Sequence, residues 1–193
     1  MTSNLRNTRL HHGLEQILID EETVQQRVAE LGQEIGAFYA ERPPLLIGVL
    51  TGGFMFMADL SRRMEVPLHV DFMAVSSYGD AASTSGVVRI LKDLDRSIEN
   101  RHVLIVEDII DSGLTLSYLV DVLRRRKPAD VRIVALLQKE RSRAVAVNAD
   151  WVGFHIPDEF VVGYGLDYAG KYRNLPFIAV CTPDTSESRS ART

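Results

Sequence analysis

Two stretches of this chain, Leu45-Leu46-Ile47-Gly48-Val49-Leu50 and, after His102, Val103-Leu104-Ile105-Val106, are apolar at consecutive rather than alternate positions. A strand built that way must be covered on both faces, the condition of a central strand in a parallel sheet with helices on either side. The intervals between apolar runs fit that arrangement. Asp20 offers an N-cap to a helix whose apolar residues Val24, Val28, Leu31, Ile35 and Phe38 step by four and three along one face. Pro43-Pro44 ends that helix, Thr51-Gly52-Gly53 breaks the first buried strand, and further helices are expected over Phe54 to Met64 and Leu114 to Arg126. Leu14 to Ile19, Leu68 to Ser76, Val131 to Leu137, Trp151 to Ile156 and Phe177 to Cys181 read as strands, with Val87 to Lys92 as the arm of a hairpin. Strands alternating with helices imply an α/β protein with a parallel sheet and right-handed crossovers. No repeat or linker divides it, so residues 1–193 are expected to form a single domain, with a frayed tail after Pro183 where no large apolar residue occurs.

Composition narrows the setting. With 193 residues, 46% of them apolar and 25% charged, the chain has an ordinary globular balance, and a chain of this size buries roughly 70% of its extended surface without staples. Cys181 is the only cysteine, which excludes an intrachain disulfide, a thiolate zinc site and a CxxC redox pair and suits a reducing, cytoplasmic compartment. Met1 to Gly13 is polar and lacks the apolar stretch of a secretory signal, and no apolar run approaches ~20 residues, so no membrane partner is expected. A net charge of −4 leaves nucleic-acid binding dependent on a local basic patch. The only dense basic run, Arg124-Arg125-Arg126-Lys127, falls where a helix ends before Pro128 and complements its dipole.

The chemistry concentrates after the second buried strand, in Glu107-Asp108-Ile109-Ile110-Asp111-Ser112-Gly113-Leu114-Thr115. Backbone N–H groups from Ser112 to Thr115 at a helix start, with two hydroxyls, make an anion cradle suited to a monophosphate. Carboxylates just upstream would repel a phosphate but suit a sugar diol or a magnesium-bound ribose. Helix capping by Asp111 or Ser112 would account for one of these residues and leave Glu107 and Asp108 without a reason.

This segment resembles the signature of the type I phosphoribosyltransferases: a hydrophobic strand, two acidic residues and a D-[ST]-G-x-T phosphate loop, matched from Glu107 through Thr115. Phe160-Val161-Val162-Gly163-Tyr164-Gly165-Leu166-Asp167-Tyr168 followed by Arg173 resembles the C-terminal purine-binding hood of the hypoxanthine-guanine members. The resemblance covers about Leu14 to Thr182. It implies a type I phosphoribosyltransferase-like parallel sheet core over about 21–150 and 177–182, flanked by helices, and a small hood from the terminal segments, about 14–20 and 151–176. It also implies purine salvage: magnesium-dependent transfer of 5-phosphoribosyl from 5-phospho-α-D-ribosyl 1-diphosphate to hypoxanthine and guanine.

By position, the resemblance makes Asp111 the general base, Glu107 and Asp108 the holders of the ribose hydroxyls, and Ser112, Gly113, Leu114 and Thr115 the 5′-phosphate loop, with Ile109 and Ile110 beside the nucleotide and Ile109 and Asp167 also at the purine. Lys139 would donate to the purine O6, Phe160 would stack on the ring and the Val161 backbone would read its N1 and C2 edge. Asp167 would help hold magnesium together with Glu107 and Asp108, and Arg173 would contact the leaving diphosphate. Thr51 and Gly52 correspond to the diphosphate loop, and Ser77 and Tyr78 begin a lid running to about Gly86. Many members carry lysine at the position of Thr51, so that side chain's contacts to diphosphate and to a neighbouring subunit are not carried over, while the backbone role is. Homodimers or homotetramers are usual in the family. Without the resemblance, Lys139 beside Glu140 reads as a solvated surface residue, Phe160 as core, Asp167 and Arg173 as a surface ion pair, and the lid as an ordinary hairpin loop.

Three other functions compete. An RNA-binding regulator on the same fold needs a basic face, which the net acidity disfavours. A generic dinucleotide or P-loop binder needs G-x-G-x-x-G or G-x-x-x-x-G-K-[ST], and neither occurs. Within the enzymes, a xanthine- or guanine-preferring relative differs at a purine edge read largely by backbone groups.

Overall fold

The computed structural model describes residues 13–78, 87–140 and 147–182. The expected lid beyond Tyr78 and the tail after Thr182 lie outside these residues. Twelve elements follow in order: β1 (Leu14–Ile19), α1 (Glu21–Phe38), β2 (Pro44–Leu50), α2 (Phe54–Arg63), β3 (His69–Tyr78), β4 (Val87–Lys92), β5 (His102–Ile110), α3 (Leu114–Arg124), β6 (Asp130–Lys139), β7 (Trp151–Ile156), β8 (Val161–Val162) and β9 (Ile178–Cys181). Six strands form one sheet in the order β4-β3-β2-β5-β6-β7, parallel except for the edge strand β4.

The two consecutively apolar runs become β2 and β5, adjacent strands at the centre of that sheet. Their side chains divide by parity, as the pleat requires. Leu46, Leu104 and Val106 meet α1 and α2 through Val28, Leu31, Phe56 and Leu60. Leu45, Ile47, Val103 and Ile105 meet α3 through Leu116, Leu119, Val120 and Leu123 on the opposite face. Each helix keeps its apolar stripe against the sheet, and none of the described helices is long and apolar enough to cross a membrane. Asp20 caps α1 by accepting the Thr23 N–H at 2.8 Å. At the far end of α3, the basic run is tied to its surroundings by a bidentate pair from Arg126 to Asp93, at 2.7 and 2.8 Å.

A second, three-stranded antiparallel sheet has the order β1-β9-β8. Here the expected boundaries of core and hood change. Trp151–Ile156 pairs parallel with β6 and belongs to the large sheet rather than the hood. Ile178–Cys181, expected in the core, is the middle strand of the small sheet. All four of its residues are buried, and such a run reads as central; it is central, but to the other sheet. Ile19, Val161, Ile178 and Val180 of the small sheet share one apolar cluster with α1, α2 and β5.

Candidate active site

Strand β5 runs past its apolar portion to Ile110, so Glu107 and Asp108 remain in the ladder beside β6, where Glu107 pairs with Ala135 and Ile109 with Leu137. The chain then turns through Asp111-Ser112-Gly113 into α3. Gly113 is the N-cap, with φ of +79°, and no side chain caps the helix in the usual way; Ser112 Oγ accepts the Leu114 N–H at a long 3.4 Å. The turn encloses a hollow of about 130 Å³ lined by Ile110, Asp111, Ser112, Gly113 and Thr115, among others, while Leu114 points outward. A helix start with its first turn uncapped attracts anions through its N–H groups and dipole.

This hollow shares Glu107, Ile109, Asp111 and Thr115 with a larger cleft of about 360 Å³. One wall of the cleft is the Thr51-Gly52 turn after β2, where the Leu50–Thr51 peptide is cis. Gly52 has no room for a side chain: a Cβ there would lie 1.6 Å from Asp108 Oδ2. The opposite wall is the segment after β7, with Phe160, Val161, Asp167 and Arg173. The two walls touch, because a Cβ on Gly165, at φ of +101°, would lie 2.1 Å from the Gly52 carbonyl oxygen. Tyr164 secures the second wall to α2 through its hydroxyl, which donates to Asp59 at 2.5 Å.

Phe160 and Lys139 differ from what they read as without the family resemblance, whereas Asp167 and Arg173 are the ion pair that reading gives. Phe160 is 42% exposed, lining the cleft rather than the core, with its ring in a T-shaped contact with Tyr168 at 5.8 Å between centroids. Lys139 is not solvated: its side chain is only 11% exposed, and Nζ lies 3.6 Å from Asp111 and 3.2 Å from Asp158. Glu107 buries its Oε2 without a hydrogen-bond partner. Asp167 and Arg173 do form an ion pair, at 2.5 Å, with Arg173 also donating to the Gly165 carbonyl at 2.6 Å and Asp167 accepting the Gly170 N–H at 2.7 Å.

Burial pushes the Glu107 carboxyl well above the ordinary glutamate range, and the neighbouring Asp108 charge pushes it further. Asp108 is also raised by burial, against the opposing pull of the Ile109 N–H, which it accepts at 2.8 Å, and of Glu107 and Arg173. An unpartnered buried acceptor costs about 1–3 kcal/mol, so this pair is a stability sacrifice awaiting a ligand that supplies donors or a cation. The unfolded glutamate ionises near pH ~4.3, whereas the folded one holds its proton higher, so stability is lost as pH rises from there toward the folded value. Glu107→Gln is expected to stabilise the ligand-free protein at neutral pH by about 1–3 kcal/mol, roughly 2–10 °C in Tm. Calorimetry at pH 4.5 and pH 7 checks this; an equal Tm difference between the two proteins at both values would contradict it.

Thus the structure brings Thr51, Gly52, Glu107, Asp108, Ile109, Asp111, Thr115, Lys139, Phe160, Val161, Asp167 and Arg173 to one cleft and Ile110, Ser112 and Gly113 to its annex. Ser77 and Tyr78 end β3, paired with Val88 and Val87 of β4. Sequence reasoning missed Asp158, whose only signal was an acidic residue two positions before Phe160.

A parallel α/β sheet whose central strand ends in paired carboxylates beside an open helix start is the arrangement of a phosphoribosyltransferase, and the family model for the phosphoribosyl transferase domain matches residues 15–169. The hypoxanthine-guanine phosphoribosyltransferase of Bacillus subtilis is 54% identical over 179 residues, covering 93% of this chain and 99% of that protein. The hypoxanthine phosphoribosyltransferase of Haemophilus influenzae is 52% identical over 165 residues, covering 84% and 92%. A crystal structure of a hypoxanthine phosphoribosyltransferase from Staphylococcus aureus superposes with a TM-score of 0.88 at 45% identity, covering 92% of this chain and 97% of that one. The chain belongs to the hypoxanthine-guanine phosphoribosyltransferase family.

Proposed function

We propose that the protein transfers 5-phosphoribosyl from 5-phospho-α-D-ribosyl 1-diphosphate to hypoxanthine and guanine, forming the nucleoside 5′-monophosphate and diphosphate, with the whole chain acting as one domain. The observation that carries this reading is the convergence of Asp111, Lys139 and Phe160 on the cleft that also holds the acidic pair and the α3 turn. A monophosphate sits in the Asp111–Thr115 turn against the N–H groups and hydroxyls there. Glu107 and Asp108 accept from the ribose hydroxyls, which supplies partners to the orphaned Glu107 oxygen. The Thr51-Gly52 turn and Arg173 face the diphosphate, a charge-assisted contact on the guanidinium side.

The purine lies against Phe160, with its 6-oxo group toward Lys139 and its N1 and C2 edge along Val161. An ammonium has donors only, so it accepts a 6-oxo group and opposes a 6-amino group. As purine N9 attacks C1′, the bond from C1′ to the diphosphate oxygen breaks and the N7 proton passes to Asp111, whose negative charge also favours the oxocarbenium-like transition state. Asp111→Asn is expected to lower kcat by up to about 10²-fold while binding of the diphosphate sugar is largely kept. Turnover and sugar binding measured separately check this; wild-type kcat in the variant would remove Asp111 from the reaction.

The residues fit a magnesium ion of the kind that binds through one or two carboxylates, water and substrate phosphates. Among the described residues no three acidic, histidine or cysteine side chains converge as a ready-made cage, whereas Glu107 offers a buried free oxygen. Glu107 and Asp108, by way of the ribose, and Asp167, by way of water since both its oxygens already accept within the chain, would hold it. When bound, the ion neutralises charge developing on the departing diphosphate. A cytoplasmic homodimer or homotetramer completes the reading.

A further inference from the structure

We propose that Asp158 is a positioning residue that holds the Lys139 ammonium toward the purine 6-position and keeps it from closing on Asp111. The proposal rests on the reading of Lys139 as the group that meets the purine O6. Lys139 ends β6, and its backbone partner is Ile156, the last residue of β7. The Glu140 N–H donates to the Ile156 carbonyl at 2.8 Å, so the two strand ends are locked together. Asp158 follows two residues later, in a turn closed by the Glu159 N–H donating to the Pro157 carbonyl at 2.9 Å, and Phe160 follows next but one. The segment that presents the stacking ring therefore also presents a carboxylate to the lysine.

The ammonium lies between two carboxylates, 3.2 Å from Asp158 and 3.6 Å from Asp111. Its three donors can serve both and leave one for a purine oxygen. A lysine stem is flexible and its charge compact; among the described residues the other carboxylate paired with Lys139 is Asp111, the proposed base. Collapse onto Asp111 would cost twice, by removing the donor from O6 and by occupying the oxygens that must take the N7 proton. Asp158 touches neither substrate nor reacting atoms in this scheme and acts through Lys139.

The test is a double-mutant cycle of Asp158→Asn and Lys139→Gln, with KM for hypoxanthine, KM for the diphosphate sugar and kcat measured in all four proteins. Asp158→Asn is expected to raise the hypoxanthine KM about 10-fold and lower kcat several-fold, with less than about a two-fold change in sugar KM. In the Lys139→Gln background the same substitution should change kcat and hypoxanthine KM less than about two-fold, because no ammonium remains to misplace. Asp158→Glu, which keeps the charge, should recover most of the lost kcat, and melting curves show that each variant folds. Effects that multiply across the cycle would overturn the proposal, as would an unchanged hypoxanthine KM in Asp158→Asn alongside a raised one in Lys139→Gln. If Lys139→Gln itself alters neither hypoxanthine KM nor the preference over adenine, the role of Lys139 fails first and the positioning role falls with it.

Discussion

Adenine is expected to react with a kcat/KM about 10⁴-fold below that of hypoxanthine, and Lys139→Gln to narrow that gap. The size follows from what a buried donor costs when it meets another donor. Lys139 is held in a cleft with 11% of its side chain exposed and already carries two carboxylate contacts. A 6-amino group placed there leaves hydrogen-bond donors opposed, and a site built to bond one group rejects an analogue that leaves its polar atoms unpaired far more strongly than it rejects an extra methylene. Glutamine can rotate to present either donor or acceptor. The variant should lose hypoxanthine efficiency and relax the ratio even where absolute adenine turnover stays low. Measuring kcat/KM for both bases in both proteins decides it; an identical ratio would show that Lys139 does not read the 6-position.

Removal of divalent cations is expected to lower turnover by at least about 10³-fold, with recovery on adding magnesium, since Lewis-acid stabilisation of a developing oxyanion is worth several kcal/mol. Among the described residues, the cations lining the cleft, Lys139 and Arg173, are both committed to carboxylates. The diphosphate thus leaves into a site whose fixed positive charge is largely compensated. Chelator titration with and without added magnesium checks this, and full activity in chelator would contradict it. The same experiment followed by calorimetry separates a loss of chemistry from a loss of structure.

Much of the scaffold was legible because its signals are local. Consecutive apolar residues from Leu45 to Leu50 and Val103 to Val106 required covered strands, and these are the adjacent central pair β2 and β5. The four-three spacing from Val24 to Ile35 marked the buried face of α1, and Asp20 caps that helix as its side chain suggested. Glu107 through Thr115 could be read as a unit because sequence neighbours there are also spatial neighbours across a strand end and a turn. Sheet membership was not local. A fully apolar Ile178–Cys181 is equally compatible with the middle of either sheet, and only its pairing with β1 and β8 settles which.

The contacts that complete the cleft were illegible for the same reason. Nothing in the sequence pairs Gly165 with Gly52 or Tyr164 with Asp59, yet these contacts bring the segment carrying Phe160 and Arg173 against the strand ends. Lys139 was a surface lysine by composition, and its burial between Asp111 and Asp158 depends on β6 and β7 ending side by side. Thr51 is exposed at the rim of the cleft, so the turn contributes its backbone and the space at Gly52.

The central claim is tested most directly by incubating the purified protein with 5-phospho-α-D-ribosyl 1-diphosphate, magnesium and, in separate reactions, hypoxanthine, guanine, xanthine or adenine, and quantifying nucleotide and diphosphate. The account predicts that hypoxanthine and guanine are converted to their 5′-monophosphates with one diphosphate released per nucleotide, and that adenine is converted at most weakly. Absence of nucleotide with every 6-oxopurine, or conversion of adenine as efficient as that of hypoxanthine, would contradict it.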